Sequence, residues 1–252
     1  MLEQAGPTFC GALALALVHV LAGRLRFLDV VPRSRWLSLA GGVAVAYAIV
    51  HLLPELEERR RTIADAGDWR MLEHLLYLIV LAGLVCFYGM EKLAQRRRPR
   101  SDQEVLKSEH ESPVNDEETP DSVFWIHVGS FALYNAFIGY ALVKEDRDLR
   151  TLVLYVVAIG FHFLVNDHGL RKRHQRQYAV FGRWALSGTV LAGWAAGLFL
   201  SVWPVVTAAI LGFLAGGILL NTFKEELPSE QESRFWVFGA GAAVYSAALL
   251  LT

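Results

Sequence analysis

Cysteine and charge are both scarce in this chain. The 252 residues include two cysteines, Cys10 and Cys86. Each sits inside an apolar run, which gives no basis for a disulfide framework or a cysteine-rich zinc site. Charged residues make up 19% of the sequence, against about a quarter in an ordinary soluble domain. The formal net charge is −1, so no global field recruits nucleic acid, and no basic stretch is interleaved with aromatics as a nucleic-acid footprint requires. Also absent are a Gly-Lys phosphate loop, His-Glu-x-x-His, Gly-x-Ser-x-Gly and an intramembrane Asp pair. No enzyme reaction and no required cofactor are therefore assigned. The N-terminus bears Glu3 where a secretory leader carries Lys or Arg, and the first apolar run outlasts a leader's core, so it reads as a span.

What the chain has is hydrophobic mass, 54% of its residues with a mean hydropathy of +0.34. It is arranged in eight segments, at about 6–23, 37–54, 73–91, 122–143, 151–169, 182–201, 203–222 and 234–252. A hydrocarbon core about 30 Å thick takes about 20 helical residues to cross. The sequence therefore predicts an all-α polytopic membrane helix bundle, eight transmembrane helices in a lipid bilayer. Small-residue clusters such as Ala40-Gly41-Gly42, Ala215-Gly216-Gly217 and Gly239-Ala240-Gly241 suit tight interfaces between helices of the bundle; the expected partners are the lipid bilayer, a divalent metal ion and a second copy of the chain in a homo-oligomer. Trp36, Trp69, Trp125, Trp184, Trp203 and Trp236 fall near segment ends, where headgroups favour them. The organisation is residues 1–94 with helices one to three, 95–121 as a Ser/Glu/Pro-rich loop without apolar periodicity, expected to be disordered, and 122–252 with helices four to eight.

Basic residues set the expected orientation. The first, third, fifth and seventh connections hold seventeen of the 24 Lys and Arg residues. Cytoplasmic loops carry that excess, so both termini are expected outside the cell (inner) membrane and the 95–121 loop in the cytoplasm.

Polar groups within spans are costly enough to be functional candidates by default. His162 and Asn166 are four residues apart and share a helix face, with Asp167 beside them. Imidazole, amide and carboxylate together suit a borderline divalent ion such as Zn²⁺. Asn166, Asp167 and His168 also precede Arg171-Lys172-Arg173, where they read equally as an interfacial cap. His162 lies deeper, as ligand or as partner in an interhelical hydrogen bond. Asn135, beside Tyr134 in the middle of span four, is either a ligand or a glue between helices. His19 and His127 read as satisfied bundle histidines. Two similar tails, His51-Leu52-Leu53-Pro54-Glu55-Leu56 and Lys224-Glu225-Glu226-Leu227-Pro228, place proline where it should stop a helix.

The order of these features resembles the ZIP (Zrt/Irt-like) family of divalent metal transporters. The shared features are eight spans, both termini outside, a variable cytoplasmic loop between spans three and four, an HLLPE-like end to span two at His51 to Glu55, and a Gly-Gly to Leu-Pro end to span seven across Gly216 to Pro228. The resemblance implies a metal site between spans four and five and transport without ATP, by alternating exposure of that site. The family's span-four His-Asn-x-Pro-Glu-Gly corresponds to Tyr134-Asn135-Ala136-Phe137-Ile138-Gly139. Its span-five His-Glu-x-Pro-His-Glu corresponds to His162-Phe163-Leu164-Val165-Asn166-Asp167. Tyr134, Ile138 and Phe163 replace ligands, which leaves too few for the family's paired site. The implied metal residues are His162, Asn166, Asn135 and Asp167, holding one weakly bound divalent cation as substrate, with Asn135 and His162 expected to face one another. The rival expectation is a ZIP-like scaffold that has lost transport and serves as a structural or regulatory membrane protein.

Overall fold

A computed structural model describes residues 2–22, 35–65, 72–96, 121–145, 147–201, 203–226 and 234–251. Among these residues the regular structure is helical throughout, in eight successive stretches. They are α1 (Leu2–Ala22), α2 (Arg35–Ala46, a π-helical turn Tyr47–Leu52, then Leu53–Asp65), α3 (Leu72–Arg96), α4 (Asp121–Lys144), α5 (Leu149–Arg173), α6 (Gln175–Gln177, a π-helical turn Tyr178–Gly182, then Arg183–Phe199), α7 (Pro204–Glu226) and α8 (Phe235–Leu250). Helices α1 to α5 are long and apolar enough to cross a membrane; the apolar parts of α7 and α8, Pro204–Leu220 and Phe235–Leu250, are shorter. Large apolar side chains such as Leu78, Leu81, Val85, Trp184 and Phe199 point outward, the surface a lipid solvent calls for and a watery one does not. The chain is an all-helical membrane bundle, as its hydrophobic runs predict.

One expected boundary is corrected. Pro54 was expected to end the second helix, yet α2 continues to Asp65. A proline has no N–H to donate and crowds the carbonyl four residues back, here that of Val50. The turn before it, Tyr47–Leu52, is wound as a π-helix. That wider turn is a recognised way of taking up such a break without ending the helix. The polar tail that follows is held by ion pairs at helical spacing, Arg59 to Glu55 at 3.0 Å and Arg60 to Glu57 at 2.8 Å. Helix α3 runs to Arg96 and α4 begins at Asp121. Residues 97–120 and the Pro228 tail lie outside the described residues.

Glycine lets three helix pairs close to backbone contact. A Cβ added at Gly139 of α4 would overlap the Val190 carbonyl of α6, and one at Gly193 of α6 would overlap the Ala136 carbonyl of α4. The same reciprocal arrangement joins α3 to α7 through Gly83 and Gly216, and α2 to α8 through Gly42 and Gly241. In lipid, where burying apolar surface gives no drive between helices, such close backbone packing holds a bundle together.

Helices α1 and α5 run side by side in the same direction. Gly11 lies near Val156, Gly160 near Leu15 and Val18, and His19 meets Asp167. Helix α4 runs against α5, with the Tyr155 hydroxyl donating to the Ile138 carbonyl at 3.4 Å. Helix α6 fixes α1. Trp194 Nε1 donates to Thr8 Oγ1 at 3.2 Å, and Ser187 Oγ lies 2.9 Å from the Ala16 carbonyl. The result is one apolar core drawn from all eight helices, including Leu15, Tyr47, Phe87, Ile138, Phe163 and Leu211. Among its buried polar side chains, His19 of α1, Asn135 of α4 and His162, Asn166 and Asp167 of α5 lie within hydrogen-bond reach of one another or of a shared partner.

Candidate functional site: a buried polar layer on three helices

Consecutive residues on an α-helix point about 100° apart, and α4 and α5 each use that divergence to serve two clusters. Tyr134 and Asn135 are neighbours on α4; Asn166 and Asp167 are neighbours on α5. One member of each pair meets His162 and the other meets His19.

The first cluster is centred on His162 of α5. Its Nε2 lies 3.1 Å from the Tyr134 hydroxyl and 3.0 Å from Asn166 Nδ2. Both partners aim donors at it, so this nitrogen is the acceptor and the imidazole proton sits on Nδ1. The second cluster is centred on His19 of α1. With its proton on Nδ1, His19 donates to Asp167 Oδ2 at 2.7 Å and accepts from Asn135 Nδ2 at 2.9 Å. Its ring stacks on Phe163 with centroids 4.4 Å apart, which sets the plane of the imidazole. Every member is buried, with Tyr134, Asn135, His19 and Asp167 each 1% exposed. Asp167 Oδ1 accepts no hydrogen bond. The Tyr178 hydroxyl beside that carboxylate donates to the His19 carbonyl at 3.4 Å.

All four metal candidates, Asn135, His162, Asn166 and Asp167, therefore face the interior. Asn135 and His162 both turn inward and take different hydrogen-bond partners. Asn135 bonds to His19, because it lies one residue beyond Tyr134 and is turned by that step toward α1. The cap reading of Asp167 is corrected too. Helix α5 continues to Arg173, so Asp167 is more than a full turn inside the helix and its carboxylate is wholly buried. Sequence reasoning placed His19 among passive histidines and treated Tyr134 as a lost ligand, whereas both are partners of the candidate residues. The signal available for His19 was its isolation. An imidazole on an apolar span must find a polar partner on another helix.

Chemically, a carboxylate that holds Nδ1–H of an imidazole orients the ring and raises the basicity of Nε2, the arrangement found behind metal-bound histidines. Both nitrogens of His19, Nε2 of His162 and Oδ2 of Asp167 are engaged within the layer, and among the described residues no group of three or more His, Cys, Asp or Glu side chains is placed to hold a metal ion.

A second polar group lies where α2 approaches the α4–α5 connection. Arg59 pairs with Glu55 of its own helix and with Glu145. The Arg147 guanidinium lies 4.2 Å over the Tyr155 ring. His51 Nε2 is 3.7 Å from Glu55 Oε2. These charges knit α2 to the start of α5 and are separate from the buried layer. No protein-family model and no curated protein matches the chain.

Proposed function

We propose that this protein is a ZIP-like membrane transporter that moves a divalent cation of zinc's borderline character through the polar layer on α1, α4 and α5, with both termini outside and residues 95–121 in the cytoplasm. The observation that carries the reading is that Asn135, His162, Asn166 and Asp167, on two different helices, all turn away from lipid into one layer. Four costly polar groups gathered in an apolar bundle need a role. A cation entering at His162 Nε2 would displace the two donors there. The Tyr134 oxygen and, after a half-turn of its amide, the Asn166 carbonyl oxygen then become ligands, while His19 brings an imidazole backed by Asp167. The one carboxylate cannot balance a charge of +2, and neutral ligands leave a desolvated ion undercompensated. Weak, readily reversed binding of a single ion follows, which suits passage more than storage.

A second reading, a ZIP-like scaffold without transport, is favoured by one observation: both nitrogens of His19, Nε2 of His162 and Oδ2 of Asp167 are already hydrogen-bonded within the layer. Calorimetric titration of zinc separates the two. The transport reading expects weak binding that His162→Ala abolishes, and stronger binding in the triple variant Tyr134→His, Ile138→Glu, Phe163→Glu, which restores the family's ligands. Absence of binding in the parent together with no gain in the triple variant favours the scaffold.

A further inference from the structure

The buried layer and the charges around Arg59 leave a third region without a role, the junction between α5 and α6. The sequence from residue 168 to residue 224 holds no Asp or Glu, and Arg171, Lys172, Arg173, Arg176 and Arg183 crowd its first part. Where α2 meets the start of α5, by contrast, Arg59, Arg60 and Arg61 pair with Glu55, Glu57 and Glu145. At the α5–α6 junction Lys172 and Arg176 are exposed, and Arg171 and Arg183 are half-buried. The inner side of the junction is closed by His174, whose Nε2 lies 2.9 Å from His127 Nδ1, and by Tyr178, whose hydroxyl is directed to the His19 carbonyl. Glu91 of α3 is set against His127, 3.5 Å from its Nε2.

An apolar wall adjoins these charges. Trp125 near the start of α4, Val180 and Phe181 in the π-helical turn of α6, and Trp184 just beyond that turn are each more than half exposed. Trp125 packs on Phe181 with ring centroids 6.3 Å apart, so the wall spans α4 and α6. The Arg183 guanidinium lies over the Trp184 ring, 5.3 Å from its centroid, and marks the border between wall and charge. Tryptophan at such a border is the signature of the headgroup level of a bilayer.

We infer that the α5–α6 junction binds an anionic glycerophospholipid, with its phosphodiester among Lys172, Arg176 and Arg183 and its acyl chains along Trp125, Phe181 and Trp184. Charge selects the headgroup. A phosphate oxygen accepts charge-assisted hydrogen bonds from guanidinium and ammonium groups, and basic pockets between helices at the membrane edge recruit anionic headgroups. The wall selects a lipid. Free phosphate would meet the same cations and leave the aromatic side chains unused, whereas a zwitterionic headgroup brings an ammonium that opposes the local positive charge. The inference is independent of whether the buried layer carries a cation.

The test gives the full chain, in a neutral detergent, an equimolar mixture of phosphatidylglycerol and phosphatidylcholine, and reads the bound lipid by native mass spectrometry. Phosphatidylglycerol should be retained in preference. Lys172→Gln and Arg183→Gln should each lower that preference about fivefold, the worth of one basic side chain near an anionic surface, while Lys172→Arg and Arg183→Lys keep it. Arg150→Gln, at the other end of α5 where the side chain donates to the Leu251 carbonyl, should leave it unchanged. Excess inorganic phosphate should not release the lipid. Equal retention of the two lipids by the parent overturns the inference. So does a preference that survives in the double variant Lys172→Gln, Arg183→Gln, one that falls as far in Arg150→Gln, or release of the lipid by phosphate.

Discussion

His19 and Asp167 are 148 residues apart in the chain, and their side chains meet at 2.7 Å in the bundle interior. This contact ties α1 to α5 and sets which way the imidazole's second nitrogen points. Removing one partner leaves the other polar and buried, which typically costs about 3–5 kcal/mol for a buried pair. His19→Leu and Asp167→Leu should each lower the thermal unfolding midpoint in detergent sharply, and the double variant should recover much of the loss. A double variant as unstable as the sum of the singles would show that the two residues act independently.

Close packing of α4 on α6 leads to a second expectation. Gly193→Val puts a branched side chain where the Ala136 carbonyl already stands, and overpacking of this kind costs about 1–3 kcal/mol. Gly129→Ala, with nothing within 4 Å of its added methyl, should be nearly neutral. Unfolding in a graded denaturing detergent checks both, and equal effects would mean that the α4–α6 approach is looser than described.

Much of this architecture is legible in the sequence because lipid imposes it. Uninterrupted apolar runs mark the helices, and the i, i+4 pair His162 and Asn166 is plain. What could not be read is anything set by a partner far along the chain. His19 has no polar neighbour within its own span, and its function as a bridge depends on Asn135 and Asp167 arriving from two other helices. Asp167 was ambiguous because Arg171-Lys172-Arg173 suggested an interface, and only the length of α5 puts it inside. Pro54 misled for a local reason, since a π-helical turn absorbs what would otherwise be a helix end.

Acid should loosen the start of α5. Asp148 caps this helix, accepting from the Thr151 backbone N–H at 2.7 Å. Hydrogen bonds from the Thr151 side chain and backbone hold its carboxyl below the usual range. The folded state therefore gains stability from this carboxylate above the ordinary range, and the gain is lost as pH falls through the lowered value. Asp148→Ala should melt below the parent at neutral pH, and the two curves should converge in strong acid. A gap that stays constant down to the lowest pH would show that the carboxylate charge is not what caps the helix.

The proposed orientation has its own check. In a chain with Cys10 and Cys86 replaced by serine, Ser101→Cys should escape a membrane-impermeant thiol reagent on intact cells and react once the cells are opened. Reaction on intact cells would put residues 95–121 outside and reverse the bundle.

The most direct measurement of the central claim is zinc flux into sealed liposomes that carry the purified protein and an internal zinc-sensitive dye. The account predicts uptake above protein-free liposomes, loss of that uptake in His162→Ala, and survival of most of it in Lys92→Gln, a change on the exposed end of α3. Uptake equal to that of protein-free liposomes, or uptake unchanged by His162→Ala, would contradict it.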